Sequence, residues 1–272
     1  MTINCRGKLI ELSTPKVMGI LNVTPDSFFD GGKYSNEQAV LSQVEKMLND
    51  GATFIDIGGY SSRPGAKHIS ESEELTRVIP IITSIVREFP EVLISIDTFR
   101  STVANEAINA GGSIVNDISG GKMDEDMFVT IAKLQVPYIM MHMQGTPQNM
   151  QVNPMYKNIV TEVISFFAAQ LQQLKELKVN DVIIDVGFGF GKTMEHNFEL
   201  LSKLSFFKEL ELPILTGVSR KSMLYKTLDI LPKEALNATT VANTVALLNG
   251  TNILRVHDVK EAVEAVKIVN RL

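Results

Sequence analysis

The sequence predicts a single-domain α/β fold, a (β/α)8 barrel of the TIM type, over residues 1–272 with a core at about 17–270. Three observations predict it. Eight short apolar runs alternate with stretches of helical period. The apolar runs end abruptly on polar or charged residues. No linker, composition shift or low-complexity segment interrupts the alternation. An open doubly wound sheet would also alternate strand and helix, but it gathers its polar strand ends at one switch point. Here they follow every strand, which favours closure.

The first strand is Val17–Leu21, and the chain then turns polar through Asn22, Thr24, Asp26, Ser27 and Asp30, broken by Pro25 and closed by Gly31 and Gly32. Ser35 and Gln38 have the spacing of a capping box. Val40, Leu41, Val44, Met47 and Leu48 share one helical face, and Gly51 ends that helix. Thr53–Ile57 is the second strand, followed by the polar loop Gly58–Gly65 and a helix over about Ser72–Glu88. Val92–Ile96 leads to Asp97, and Ser113–Val115 leads to Asn116 and Asp117. Pro137–Met141 precedes His142, and a long helix follows at about Tyr156–Leu177. Val182–Ile184 ends on Asp185 and a Gly-rich run to Lys192, Pro213–Gly217 precedes Ser219-Arg-Lys221, and Asn252–Leu254 ends on Arg255 and His257. Asp258 and Glu261 offer a capping box for the last helix.

Composition narrows the function classes. Of the 272 residues, 44% are hydrophobic and 21% charged, as in soluble globular proteins. A net charge of −5 without blocks of like charge argues against non-specific nucleic-acid binding. The single Cys5 excludes an internal disulfide framework and a Cys-based zinc site. No signal-peptide pattern and no apolar run long enough to span a bilayer is found. A cytoplasmic protein without membrane or nucleic-acid partners is expected.

In a parallel barrel the C-terminal strand ends share one mouth, where such enzymes act. That mouth would gather Asn22, Arg63, Asp97, Asn116, His142, Asp185, Lys221, Arg255 and His257. Arg63, Arg255 and His257, with Asn22 and Ser62, suit an anion such as a phosphate or pyrophosphate. Asp97, Asn116, Asp185 and Lys221 suit the polar edge of a fused heterocycle, with Phe190 and Met141 for its faces. Asn22 and the scarcity of carboxylates suggest a Mg2+ carried partly on the substrate's own phosphates. Asp56 is read as a buried structural carboxylate, Asp117 as a turn cap, and His142 as a packing or hydrogen-bonding residue rather than a base. Asn116 either binds ligand or satisfies loop backbone. Gly187-Phe-Gly-Phe-Gly-Lys-Thr193 is neither a P-loop, because Val186 stands where Gly is needed, nor a dinucleotide fingerprint, because Lys192 does.

Asn22-Val-Thr-Pro-Asp-Ser-Phe28, Gly58-Gly-Tyr-Ser-Ser-Arg-Pro-Gly-Ala66, Ile96-Asp-Thr98, Val115–Gly121, Met141–Gly145, Asp185–Lys192, Ser219–Ser222 and Arg255–Asp258 together resemble the ordered motifs of the dihydropteroate synthases. The resemblance implies condensation of a dihydropterin methyl diphosphate with 4-aminobenzoate, giving 7,8-dihydropteroate and diphosphate, with Mg2+ as cofactor. It implies pterin contacts at Asp97, Asn116, Asp185 and Lys221, and diphosphate contacts at Ser62, Arg63, Arg255 and His257. Asn22 would serve the metal and the diphosphate. Phe28, Pro64, Phe190 and Ser219 would line the 4-aminobenzoate pocket, with Thr24–Gly32 as a mobile lid. Lys221, Arg255, His257 and Arg63 would carry the chemistry. A homodimer and inhibition by sulfonamides are further expectations of the resemblance. A pterin-dependent methyltransferase of the same superfamily is the alternative, yet it would not need the Arg255/His257 anion site. Three residues depart from the family pattern: Tyr60 for the usual Glu, Ser62 for Thr and Val186 for Pro.

Overall fold

The computed structural model describes residues 1–23, 33–61 and 68–272, with the backbone alone for 33–36. Eight parallel strands close into a barrel. They are β3 (Lys16–Asn22), β4 (Phe54–Gly58), β5 (Leu93–Asp97), β6 (Ile114–Asp117), β7 (Tyr138–Met141), β8 (Val182–Asp185), β9 (Ile214–Thr216) and β10 (Ile253–Val256), and β10 pairs with both β9 and β3. These are the eight predicted runs. Most ends shift by a residue, so Asn22, Asp97 and Asp185 are last strand residues held by the ladder.

No strand is predicted for residues 1–15, yet β1 (Thr2–Cys5) and β2 (Lys8–Glu11) form an antiparallel hairpin. Its two-residue turn takes positive φ at Arg6 (53°) and Gly7 (83°), the geometry that matches strand twist. Arg-Gly is a weaker turn signal than Asn-Gly, which hid the hairpin. Ile3, Cys5, Ile10 and Leu12 pack with one residue from each barrel strand, Met18, Phe54, Leu93, Ile114, Ile139, Ile183, Leu215 and Ile253. The hairpin thus stoppers the N-terminal end of the barrel.

Between the strands run α1 (Lys33–Asn49), α2 (Glu71–Glu88), α3 (Ser101–Asn109), α4 (Met127–Leu134), α5 (Ile159–Glu176), α6 (Met194–Ser202), α7 (Ser222–Thr227), α8 (Leu236–Leu248) and α9 (Val259–Val269). Their apolar faces bury the outward strand residues, such as Leu21, Ile57, Ile96 and Val115, in one large core. Two capping predictions fail. α1 already begins at Lys33, which leaves Ser35 inside its first turn. Asp258 stands at the start of α9 but makes no capping bond, because Arg220 takes both its oxygens at 2.9 and 2.8 Å.

Candidate active site

Side chains alternate along a strand, so the residues two beyond the apolar inner layer also point inward. They are Ile20, Asp56, Ser95, Asn116, Met141, Asp185, Gly217 and Arg255. One step up the barrel the interior changes from hydrocarbon to charge. Arg255 organises this layer: its Nε donates to Asp56 at 2.6 Å and its Nη2 to Asp97 at 2.7 Å. Asn116 Nδ2 donates to the same Asp56 carboxylate at 3.2 Å.

Two carboxylates thus share one guanidinium. Burial pushes the Asp97 carboxyl up to about 7; Arg255 opposes this, while the Asp56 charge reinforces it. Burial also opposes the Arg255 charge, but Asp56 and Asp97 outweigh it and hold the guanidinium protonated. Asp185 is likewise raised by burial, against the pull of Lys221 and a 2.8 Å bond from the Gly187 amide. Burial lowers Lys221 to about 8, opposed by Asp185. A lysine so poised, between buried acids and beside Asp185, can exchange hydrogen bonds with a heterocycle at modest cost.

The loop after β8 builds one wall. Lys221 Nζ donates to the Phe188 carbonyl and stands 4.6 Å above the Phe190 ring. Gly189 (φ 80°) gives room for this: an added Cβ would lie 3.3 Å from the Lys221 side chain. Met141 supplies apolar surface beside it, within a cluster of Tyr60, Ile69, Phe99, Ile118, Met143 and Met150 that Phe190 joins at its edge. At the rim, Ser219 Oγ lies 3.0 Å from His257 Nδ1 and accepts the His257 amide at 3.1 Å. Arg220, in its left-handed conformation (φ 54°), spans Asp258 and the Pro232 and Lys233 carbonyls, bracing its neighbours Ser219 and Lys221.

The structure therefore brings Asp97, Asn116, Met141, Asp185, Phe190, Lys221 and Arg255 together at the C-terminal end of the barrel. Asn22 joins them: a Cβ built at Gly58 would lie 3.7 Å from Asn22 Oδ1 and 3.8 Å from Asp97 Oδ2. Ser219 and His257 stand together at the rim. Phe28, Ser62, Arg63, Pro64 and the proposed lid Thr24–Gly32 lie outside the described residues. The bland readings of Asp117 and His142 hold: Asp117 accepts from Ser119, Gly121 and Tyr138, and His142 is buried against Lys192.

Two members of the layer were missed as site residues. Asp56 is fully buried, as predicted, but it is the counter-ion that seats Arg255 and Asn116 rather than a bystander. Ser95, equally buried, has no partner for its hydroxyl among the described residues. The signal was available: both follow an inward apolar residue by two positions and precede a strand-end residue by two.

The chain is similar to known proteins over nearly its whole length. Residues 18–257 match the family model described as pterin binding enzyme. Dihydropteroate synthase of Escherichia coli (strain K12) is 42% identical over 271 residues, covering 99% of this chain and 95% of that protein. The crystal structure of the Yersinia pestis dihydropteroate synthase with a sulfonamide drug superposes with a TM-score of 0.93 at 42% identity, over 100% of this chain and 98% of that one. The enzyme from Xanthomonas albilineans in complex with 7,8-dihydropteroate gives 0.89 at 33% identity, over 100% and 98%. This chain belongs to the dihydropteroate synthases of the pterin-binding enzyme family.

Proposed function

We propose that the chain joins (7,8-dihydropterin-6-yl)methyl diphosphate to 4-aminobenzoate, forming 7,8-dihydropteroate and diphosphate in folate biosynthesis. The observation that carries this reading is the charged inner layer, Asp97, Asn116, Asp185, Lys221 and Arg255, walled by Met141 and Phe190. Asp185 and Asn116 supply a carboxylate and an amide for the donor-rich edge of the pterin, and Lys221 supplies a cation for its acceptors. The methylene carbon–oxygen bond breaks first, and its electron pair leaves with the diphosphate. The pterin ring stabilises the resulting cation, and Arg255, Arg63 and His257 balance the departing anion. The amine nitrogen of 4-aminobenzoate then bonds to the methylene carbon and loses a proton. Phe28, Pro64, Phe190 and Ser219 orient that second substrate, and Ser62 joins the diphosphate site.

Mg2+ fits this arrangement as a partner of the substrate. Among the described residues no group of three His, Cys, Asp or Glu could hold a metal alone. Asn22 Oδ1, at the end of its strand, would hold the ion with diphosphate oxygens and water completing its shell. Bound there, it would neutralise charge on the leaving group.

Among the described residues no helix is long and apolar enough to cross a membrane. That is consistent with a cytoplasmic enzyme. Exposed Phe198 on α6 and Val241 and Leu248 on α8 offer apolar surface suited to a homodimer. The sulfonamide complex of the Yersinia pestis relative supports sulfonamides as inhibitors. The test is release of diphosphate by purified protein supplied with Mg2+ and both substrates. Release that does not require 4-aminobenzoate would overturn the reading. Within it, Asp185→Asn should weaken pterin binding by about ten- to a hundredfold, the cost of one buried charge-assisted bond, and 4-aminobenzoate binding far less. Equal losses for both substrates would remove Asp185 from the pterin site.

A further inference from the structure

Lys192 closes the Gly-rich run after β8, and phosphate binding does not account for it. The residue is 3% exposed, burial pushes its amine well below the usual lysine range, and its Nζ lies 3.0 Å from His142 Nδ1, 3.2 Å from the His142 carbonyl and 3.0 Å from the Phe190 carbonyl. Two backbone carbonyls and one ring nitrogen thus converge on one Nζ. Nδ1 can accept only if His142 is neutral with its proton on Nε2. Burial keeps the imidazole neutral, pushing it down to about 2, and the nearby Lys192 and Lys122 add to it.

The brace crosses a very close approach of two backbones. A Cβ at Gly187 would lie 2.0 Å from the His142 carbonyl oxygen, and one at Gly191 would lie 2.5 Å from that of Gln144. Only glycine permits this crossing, and Lys192 fastens it. Groups that face the pterin hang directly from the fastened atoms. Met141 precedes His142, Phe190 carries one of the gripped carbonyls, and Lys221 rests on Phe188 and over the Phe190 ring.

We propose that Lys192, seated on neutral His142, is a positioning residue for the dihydropterin site. It sets the spacing of the Met141 and Phe190 walls and the perch of Lys221 without touching substrate. The proposal rests on the pterin-site reading given above.

Lys192→Met keeps the length and apolar bulk and removes the amine. It should raise KM for the dihydropterin diphosphate by about tenfold or more, with a smaller rise in KM for 4-aminobenzoate, whose pocket Phe190 also lines. His142→Asn keeps an acceptor near the Nδ1 position and should retain pterin affinity within about threefold of wild type, whereas His142→Leu should lose about tenfold. Calorimetric binding of the dihydropterin diphosphate, with 4-aminobenzoate omitted, should follow the same order. This readout needs no turnover, so wild-type protein that binds the pterin yet releases no diphosphate would fail the reaction and still test the brace. Lys192→Met that is thermally weakened but binds the pterin normally would overturn the proposal. If that variant does not fold, equal pterin affinity of the two His142 variants overturns it instead.

Discussion

The two ends of this barrel use the same eight strands and the same inward-facing positions in opposite ways. At the N-terminal end every strand contributes an apolar side chain, and the hairpin adds Ile3, Cys5, Ile10 and Leu12. Each large side chain buried there stabilises the fold by about 1.5–3 kcal/mol. Even the Cys5 thiol is inert, pushed up to about 12, chiefly by burial. Two residues further along, the same strands bury Asp56, Asn116 and Asp185 close to a half-buried Arg255. Charges taken from water cost several kcal/mol each, and their mutual attraction returns that only when the geometry is good. One end thus holds the barrel together, while the other spends that stability on a preorganised site. The alternation also keeps the two apart, so a change at the apolar end should leave turnover intact.

The largest effect should come from Arg255→Ala. Turnover should fall by about a hundred- to a thousandfold, as when one donor to developing negative charge is removed. Because Asp56 would then be buried without its cation, unfolding free energy should also drop by about 3–5 kcal/mol. Steady-state diphosphate release and urea unfolding measure the two; unchanged stability would mean that Asp56 does not depend on Arg255.

Next comes the opposite end. Leu12→Ala should cost about 2–5 kcal/mol of stability by leaving a cavity, with kcat per folded molecule unchanged. Faster alkylation of Cys5 would report the hairpin opening. A kcat that fell with stability would show that the ends are coupled.

A subtler asymmetry lies in pH. Asp97 holds its proton up to about 7 in the fold, whereas an unfolded aspartate releases it near 4. The native state therefore binds more protons between these values, and the stability Asp97 contributes falls as pH rises from about 4 to about 7 and is flat above. Relative to Asp97→Asn, the wild type should lose at most about 4 kcal/mol across that window, the full three-unit shift. Thermal melts of both proteins from pH 4 to 8 test this, and a gap that widened in the wild type's favour would refute the sign.

The smallest effect concerns a departure from the family pattern. Tyr60 is buried, edge-on to Phe99, with its hydroxyl 2.9 Å from Gln148 Nε2 and 3.2 Å from His68 Nδ1. A Glu there could not present the same aromatic edge. Tyr60→Phe keeps the ring and should cost about 0.5–1.5 kcal/mol, the net worth of its hydrogen bonds, with little change in kcat. A loss above that range would make the hydroxyl, rather than the ring, the anchor at this position.

Much of this was legible in the chain itself. The strands could be read because each is a short apolar run with a polar stop. Asp97 and Asp185 could be read because they end such runs. The hairpin was hidden by its brevity and its Arg-Gly turn. The failed cap at Asp258 has a different cause: a side chain that local spacing assigns to its own helix is claimed by Arg220, 38 residues away in sequence. Lys192 was set aside for failing two phosphate motifs, and its actual partner is 50 residues away, on the neighbouring strand's end.

Periodicity and turn chemistry act over a few residues, so the alternation of elements, the α/β class and the residues at the strand ends follow from local sequence. Which of those residues meet follows from the closure of the barrel. Closure of β10 against β3 brings Arg255 to Asp56 across 199 positions, and burial then makes that pairing obligatory. Local pattern places a charge on the inner face, but its counter-ion is chosen by the barrel.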